Sequence, residues 1–190
     1  MPLLGPADPL PHVPRRVLVA GNAGSGKSTL CLRIAGLRDL PSVELDSLYW
    51  GPQWTPRPEF AGEVAALARE DRWVTEYQYK AARPALLARA DTVVWLDHPF
   101  PTVVGRLVFR TVRRRAARAE LWNGNQESPL WSVFTDSEHI LRWGPRSYRR
   151  NRARVLALVD DVVVVRLRGQ WQVERWLSGP LASVGEERAR

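Results

Sequence analysis

An alternating α/β fold with a mostly parallel sheet is predicted for this 190-residue chain by three observations. Short β-branched runs alternate with helical patterns along its length. The runs show little apolar–polar alternation, as expected of strands covered on both faces. Between the first run and the first helical pattern lies Gly21-Asn22-Ala23-Gly24-Ser25-Gly26-Lys27-Ser28. This stretch satisfies G-x-x-x-x-G-K-[ST] in a strand–loop–helix setting.

The elements follow in order. Arg15-Arg16 lead into a first strand over 17–20, and a helix follows from Thr29 to Ala35. A second strand is expected over 42–45, then a loop rich in Pro and Trp over 46–58. Phe60, Val64, Leu67 and Ala68 have helical spacing over 58–70, with Pro near the start. The third strand is 73–76, a short helical pattern covers 81–90, and the fourth strand is 92–96. The longest helix is expected over 101–120, with Val104, Val108 and Val112 on one stripe. A helical stretch over 137–159 is broken at Gly144-Pro145. A fifth strand over 162–167 and a last helix over 171–177 complete one domain spanning 15–177. Residues 1–14 and 178–190 read as loose tails.

Composition narrows the function classes. Hydrophobic residues make up 45% and charged residues 25%, the balance of a soluble globular protein. No apolar run approaches the roughly 18 residues of a membrane helix, and the start lacks the pattern of a signal peptide. Cys31 is the single cysteine, which excludes an internal disulfide and points to a reducing, cytoplasmic setting. With three scattered histidines, a Cys/His metal site is not expected. The net charge is +8, and Lys27 and Lys80 are the only lysines, so arginine carries the charge. That balance suits a nucleic-acid binder or an enzyme handling polyanionic substrates.

The glycine loop has a direct chemical reading. Glycines let successive N–H groups turn toward one anion, and the helix that follows, with Thr29 in its first turn, directs its positive end there. Lys27 is expected on the β- and γ-phosphates, and Ser28 on Mg²⁺. Asp46, just past the carboxyl end of the second strand, is expected either to face the same crevice, where a carboxylate can accept a hydroxyl proton or hold metal-bound water, or to make local hydrogen bonds as an N-cap or loop residue. Glu76 ends the third strand as a Walker B acid would, making it a second Mg²⁺ candidate. Asp97 ends the fourth strand and reads as a turn residue. Arg106, Arg110 and Arg113 share one helix face, opposite the valine stripe, and Arg114, Arg115 and Arg118 extend it. Arg146, Arg149, Arg150 and Arg152 form a second cluster. Both clusters suit neutralisation of a transferring phosphoryl group, and both equally suit a solvated face or a nucleic acid. Tyr49, Trp50 and Trp54 fit a stacking surface or a core cover. Residues 121–127, with Asn123-Gly124, read as a movable lid or a plain connector.

With these residues the chain resembles the adenylate-kinase-like P-loop kinases, and most closely the family described as DNA topology modulation protein. The resemblance runs from about Arg16 to Leu177. It is carried by Glu44-Leu45-Asp46-Ser47-Leu48-Tyr49-Trp50, Trp54, Arg72-Trp73, Ala90-Asp91-Thr92 and Leu121-Trp122-Asn123-Gly124-Asn125. Where that family shows an Asp-Gly-Asn-Tyr segment, this chain has Glu76-Tyr77-Gln78-Tyr79. The resemblance implies a three-layer P-loop NTPase fold with a five-stranded parallel sheet in the order 2-3-1-4-5. It also implies a helical lid over about 113–150. It implies ATP as the nucleotide, Arg106 and Arg110 beside it, and Arg149, Arg150 or Arg152 acting from the lid's return helix. Arg168 and Gly169 would lie by the adenine. The function so implied is an ATP-dependent kinase acting on a small molecule or nucleotide. A nucleotide-regulated DNA binder and an ATP-binding protein without transfer activity are the alternatives.

Overall fold

The computed structural model describes residues 3–117, 120–125 and 147–185. Its centre is one parallel sheet of six strands: β1 (Leu3–Leu4), β2 (Arg16–Gly21), β3 (Ser42–Val43), β4 (Trp73–Glu76), β5 (Thr92–Leu96) and β6 (Val163–Leu167). The spatial order is β3-β4-β2-β5-β6-β1. Numbered as in the sequence prediction, this is 2-3-1-4-5 with one strand added beside the fifth. Val17 is in register with Val74 of β4 on one side and Thr92 of β5 on the other.

Alternate residues of each strand feed two separate cores, because side chains of a strand point to opposite faces in turn. Val17, Val19, Val94 and Val165 pack with Leu30, Ile34, Val173 and Trp176. These last four come from α1 (Lys27–Arg38) and a late helix at Gln170–Trp176. Leu18, Ala20, Val93 and Val164 face the other way, onto Phe60, Val64, Leu86 and Val155. Those belong to α3 (Phe60–Arg69), α4 (Arg83–Leu87) and α6 (Tyr148–Leu156), so helices cover both faces. Two further helices, α2 (Leu45–Tyr49) and α5 (Phe100–Ala116), lie at the carboxyl ends of the strands. The helix at Gln170–Trp176 is α7.

Four expectations are corrected. Residues 3–14 are not a loose tail: Leu3 and Leu4 pair with Val164 and Val165, and His12 bonds the Thr92 hydroxyl at 3.1 Å. Without β1, the apolar strand β6 would end the sheet with unpaired backbone groups. The start of the expected C-terminal tail also packs, since a wide π-type turn at Leu177–Leu181 buries both leucines. Pro180 lies inside that turn and cannot supply a regular helical bond. The region after the second strand is not all loop. The strand stops at Val43, and Asp46 lies in the first turn of α2.

The fourth correction concerns α5, whose packed stripe is Val103, Leu107 and Thr111. Val108 and Val112 of the expected stripe are exposed. The first piece of the expected helix over 137–159 and most of the expected lid lie outside the described residues.

Candidate active site

The chain leaves β2 toward β3 on one side of the sheet, returns to β4, and then crosses to β5 on the other side. The strand order therefore reverses at β2, and a crevice opens beyond its carboxyl end, where ligands of open α/β sheets bind. The glycine loop 21–28 fills this position. Gly24 has φ +84°, and a β-carbon there would come within 2.8 Å of the Val103 carbonyl and 2.9 Å of Leu107 on α5. Gly26 caps α1 in the left-handed region at φ +94°, and a side chain there would enter open space. The first-turn N–H groups of α1 have no partner within the helix and face that space.

Lys27 and Ser28 open α1 and meet Glu76 at the end of β4. The Ser28 hydroxyl donates to Glu76 Oε1 at 2.5 Å, and Lys27 Nζ lies 3.9 Å from Glu76 Oε2 and donates to the Asn22 carbonyl at 3.3 Å. The longer glutamate chain therefore reaches the serine across the strand end. Asp46 stands opposite, held by the Tyr79 hydroxyl and by Gln78 Nε2 at 2.9 Å. Burial pushes the Asp46 carboxyl above the usual carboxylate range; the Tyr79 bond opposes this and the neighbouring Glu76 adds to it. Tyr79 is pushed far up in turn, by burial and by Asp46, so it is a firm donor.

On the other side of the loop, a cavity of about 170 Å³ is lined by Ser25, Gly26, Thr29, Leu30, Leu96 and Arg106, among others. Arg110 is half-buried one turn further along α5. Gly169, in the turn before α7, donates its N–H to His98 Nδ1 at 2.9 Å. Asp97, at the end of β5, is buried beneath three arginines. Arg152 bonds its Oδ1, Arg166 bonds Oδ2 at 2.6 Å, and Arg168 lies 3.9 Å away. Arg152 and Arg166 also lie over the Trp95 ring, 5.5 and 5.0 Å from its centroid. The turn residue of the sequence reading is thus an electrostatic hub, and Arg152 is committed to it. Arg149 and Arg150 are exposed on α6.

Several residues of the site escaped sequence reasoning. Asn151 of α6 donates to Asn22 Oδ1 at 2.9 Å, docking that helix on the glycine loop. His98 and Tyr148 bond across α6 and β5, the hydroxyl donating to the His98 carbonyl at 2.9 Å. The turn at Trp122–Gly124 docks on residues 44–54. Trp122 Nε1 donates to Glu44 at 2.7 Å, Asn123 to the Trp50 carbonyl, and Asn125 to the Gly51 carbonyl at 2.8 Å. Trp54 meets both Trp50 and Trp122 edge to face. The aromatic loop is therefore a packed junction with this turn. The only local signal was the Asn-Gly dipeptide and its neighbouring tryptophan.

The donor set suits a hard cation: a hydroxyl and a carboxylate converge beside the open helix start, and Mg²⁺ takes few protein oxygens beside phosphates and waters. Ser25 Oγ, buried without a hydrogen-bond partner, lies against Gly21 of the same loop, where a β-carbon would come within 2.4 Å of it. Among the described residues there is no cluster of three His, Cys, Asp or Glu side chains that would form a complete metal cage. No helix among them is long and apolar enough to cross a membrane.

Comparison of the sequence with family models gives no match, and comparison with curated proteins gives none. The fold is similar to solved structures. A gluconokinase from Sinorhizobium meliloti is 19% identical with a TM-score of 0.53, covering 94% of this chain and 97% of its own. A shikimate kinase from Bacteroides thetaiotaomicron is 12% identical with a TM-score of 0.50, covering 87% of this chain and 95% of its own. Both match nearly end to end, and they show that the chain shares the fold of these two structures, a parallel sheet flanked by helices.

Proposed function

We propose that the protein is an ATP-dependent phosphotransferase acting on a small molecule or a nucleotide. The observation that carries this is the meeting of Lys27, Ser28 and Glu76 at the helix start, with Asp46 held opposite them. Lys27 and the first-turn N–H groups bind the phosphates of the donor. Ser28 and Glu76 hold Mg²⁺, which when bound neutralises phosphate charge. Asp46 orients the acceptor hydroxyl and takes its proton as the acceptor oxygen bonds to phosphorus and the ADP oxygen leaves. Its raised pKa, set by burial, suits a group that must accept a proton near neutrality. Arg106, Arg110, Arg149 and Arg150 supply positive charge around the transferring group, with Arg168 and Gly169 by the base.

The comparisons do not show the DNA topology modulation family, and the structure gives the DNA-binding alternative no added support. Part of the arginine charge is already paired: Arg33 with Glu174, Arg57 with Glu63, and Arg152 and Arg166 with Asp97. The test is ADP release from Mg·ATP with a panel of nucleoside monophosphates, nucleosides and small hydroxyl compounds, beside Lys27→Ala. Release that depends on one acceptor supports the reading. ATP binding with no release in any arm would leave an ATP-binding protein without transfer activity.

A further inference from the structure

His98 lines the cavity beside the glycine loop, yet nothing in the proposed chemistry uses it. It follows Asp97 at the end of β5, and 1% of it is exposed. Its ring joins two loops that are far apart in sequence. Nδ1 accepts the Gly169 N–H at 2.9 Å, and the ring lines one cavity with Ser25 of the glycine loop, whose backbone favours a ring proton. Since Nδ1 accepts, the proton of the neutral ring is on Nε2. The backbone of His98 is fixed as well, through the Tyr148 hydroxyl on its carbonyl. Ser25 belongs to the phosphate end of the crevice and Gly169 to its other end.

We propose that His98 is a positioning residue for the nucleotide: its neutral ring holds the glycine loop and the Gly169 turn at the separation that a bound nucleotide spans. This rests on the nucleotide reading of the site. A proton on Nδ1 would set donor against donor at Gly169, so the two loops would lose their tie. The groups facing the ring agree on which form is present. Burial acts first and the Arg106 guanidinium of α5 second, both lowering its pKa from the usual histidine value; the Ser25 backbone and Asp97 act weakly the other way. Arg168 of the turn is held on Asp97, not on the ring. The ring is therefore neutral at pH 7, and its tie is lost as the pH falls below the ordinary histidine range.

The experiment is calorimetric binding of ADP to the full chain from pH 8 to pH 5.5, for wild type, His98→Asn and His98→Ala, with thermal melting alongside. Asn places an oxygen where Nδ1 stands and does not titrate. At pH 8 the alanine variant is expected to bind on the order of ten-fold more weakly, the scale of one lost hydrogen bond. Asn is expected between alanine and wild type, since it keeps the Gly169 bond but does not reach Ser25. Toward pH 5.5 wild type is expected to lose affinity relative to Asn by less than about ten-fold, because the ring takes a proton only below the ordinary histidine range, and the Asn comparison cancels the titration of ADP itself. Wild type and Asn running parallel with pH would overturn the proposal, as would tighter wild-type binding in acid or an alanine variant that binds as wild type does. The Asn comparison still decides if the alanine variant does not fold. ADP failing to bind wild type at any pH would instead overturn the nucleotide reading and this proposal with it.

Discussion

Glu76 and Asp97 end neighbouring strands on either side of β2, and both are buried at the edge of one crevice. Their surroundings differ. Glu76 meets a hydroxyl and a single lysine, and sits close enough to Asp46 to raise that carboxyl's pKa. Asp97 meets three arginines, two of them in direct contact and stacked on Trp95. The first arrangement leaves negative charge under-compensated, and so open to a cation. The second is satisfied internally and locks β5, β6 and α6 together. Carboxylates at equivalent strand ends thus serve binding or architecture according to how many cations already surround them.

The comparison would break most severely at Lys27. If the Glu76 side is the working side, Lys27→Ala should lower ADP release by about 10³-fold or more, the scale of a lost phosphate clamp. The melting curve should change little, since the side chain leaves a partly open crevice. Wild-type turnover in this variant would remove the phosphate assignment altogether.

Asp46→Asn should come next, lowering turnover by about 10²- to 10⁴-fold, as loss of a general base does, while ATP affinity holds. Equal loss of both would make Asp46 structural. Its pH signature has a definite sign. Because burial raises the folded-state pKa, the stabilising state is the protonated one. That stability is complete below the usual carboxylate pKa and is lost as pH rises through the raised value. The Asn variant should therefore melt above wild type at pH 7 and converge with it in acid. Turnover of wild type should fall as pH drops through the same raised value.

How much of this was legible beforehand follows from sequence separation. The glycine loop, its lysine and serine, and the buried strands are local patterns, and apart from the second strand, which stops at Val43, the strands stand within a residue of where the apolar runs put them. The alternation of α5 misled because Val103, Val104, Leu107 and Val108 are all apolar, so two adjacent stripes fit equally well. The choice between them is made by Gly24, which lacks a β-carbon and admits the backbone of α5 at Val103 and Leu107. Asn22 and Asn151 meet across 129 positions, and Arg152 and Asp97 across 55. No local pattern announces such pairs. Leu3 and Leu4 are too short a run to read as a strand, and they become one because β6 offers an edge.

The two strand-end carboxylates can be separated directly. Asp97→Asn removes the charge that compensates Arg152 and Arg166, and breaking a buried pair costs about 3–5 kcal/mol when both partners are buried. Here the arginines are 33% and 24% exposed, so a loss of about 2–3 kcal/mol is expected after screening. Nucleotide affinity should fall less than stability. Glu76→Gln should do the reverse, melting at or above wild type because repulsion with Asp46 is relieved, while the Mg²⁺ concentration needed for turnover rises. Similar melting losses in both variants would erase the distinction drawn between the two sides.

The smallest effect tests the junction between residues 44–54 and the 121–125 turn. Asn125 is buried, and its amide bonds Gly51 and Trp122 carbonyls at 2.8 Å each while its Oδ1 accepts the Trp54 N–H at 2.9 Å. Asn125→Ala leaves those backbone groups without their partner, a loss of about 1–2 kcal/mol rather than the sum of three bonds, because water can reach the loop edge. Asn125→Asp keeps the acceptor but sets a negative charge against two carbonyls, and should cost more than alanine does. Since the junction joins the Asp46 helix to the segment leading out of α5, either variant should raise the acceptor KM more than the ATP KM. An effect confined to ATP would place the junction on the Asp97 side instead.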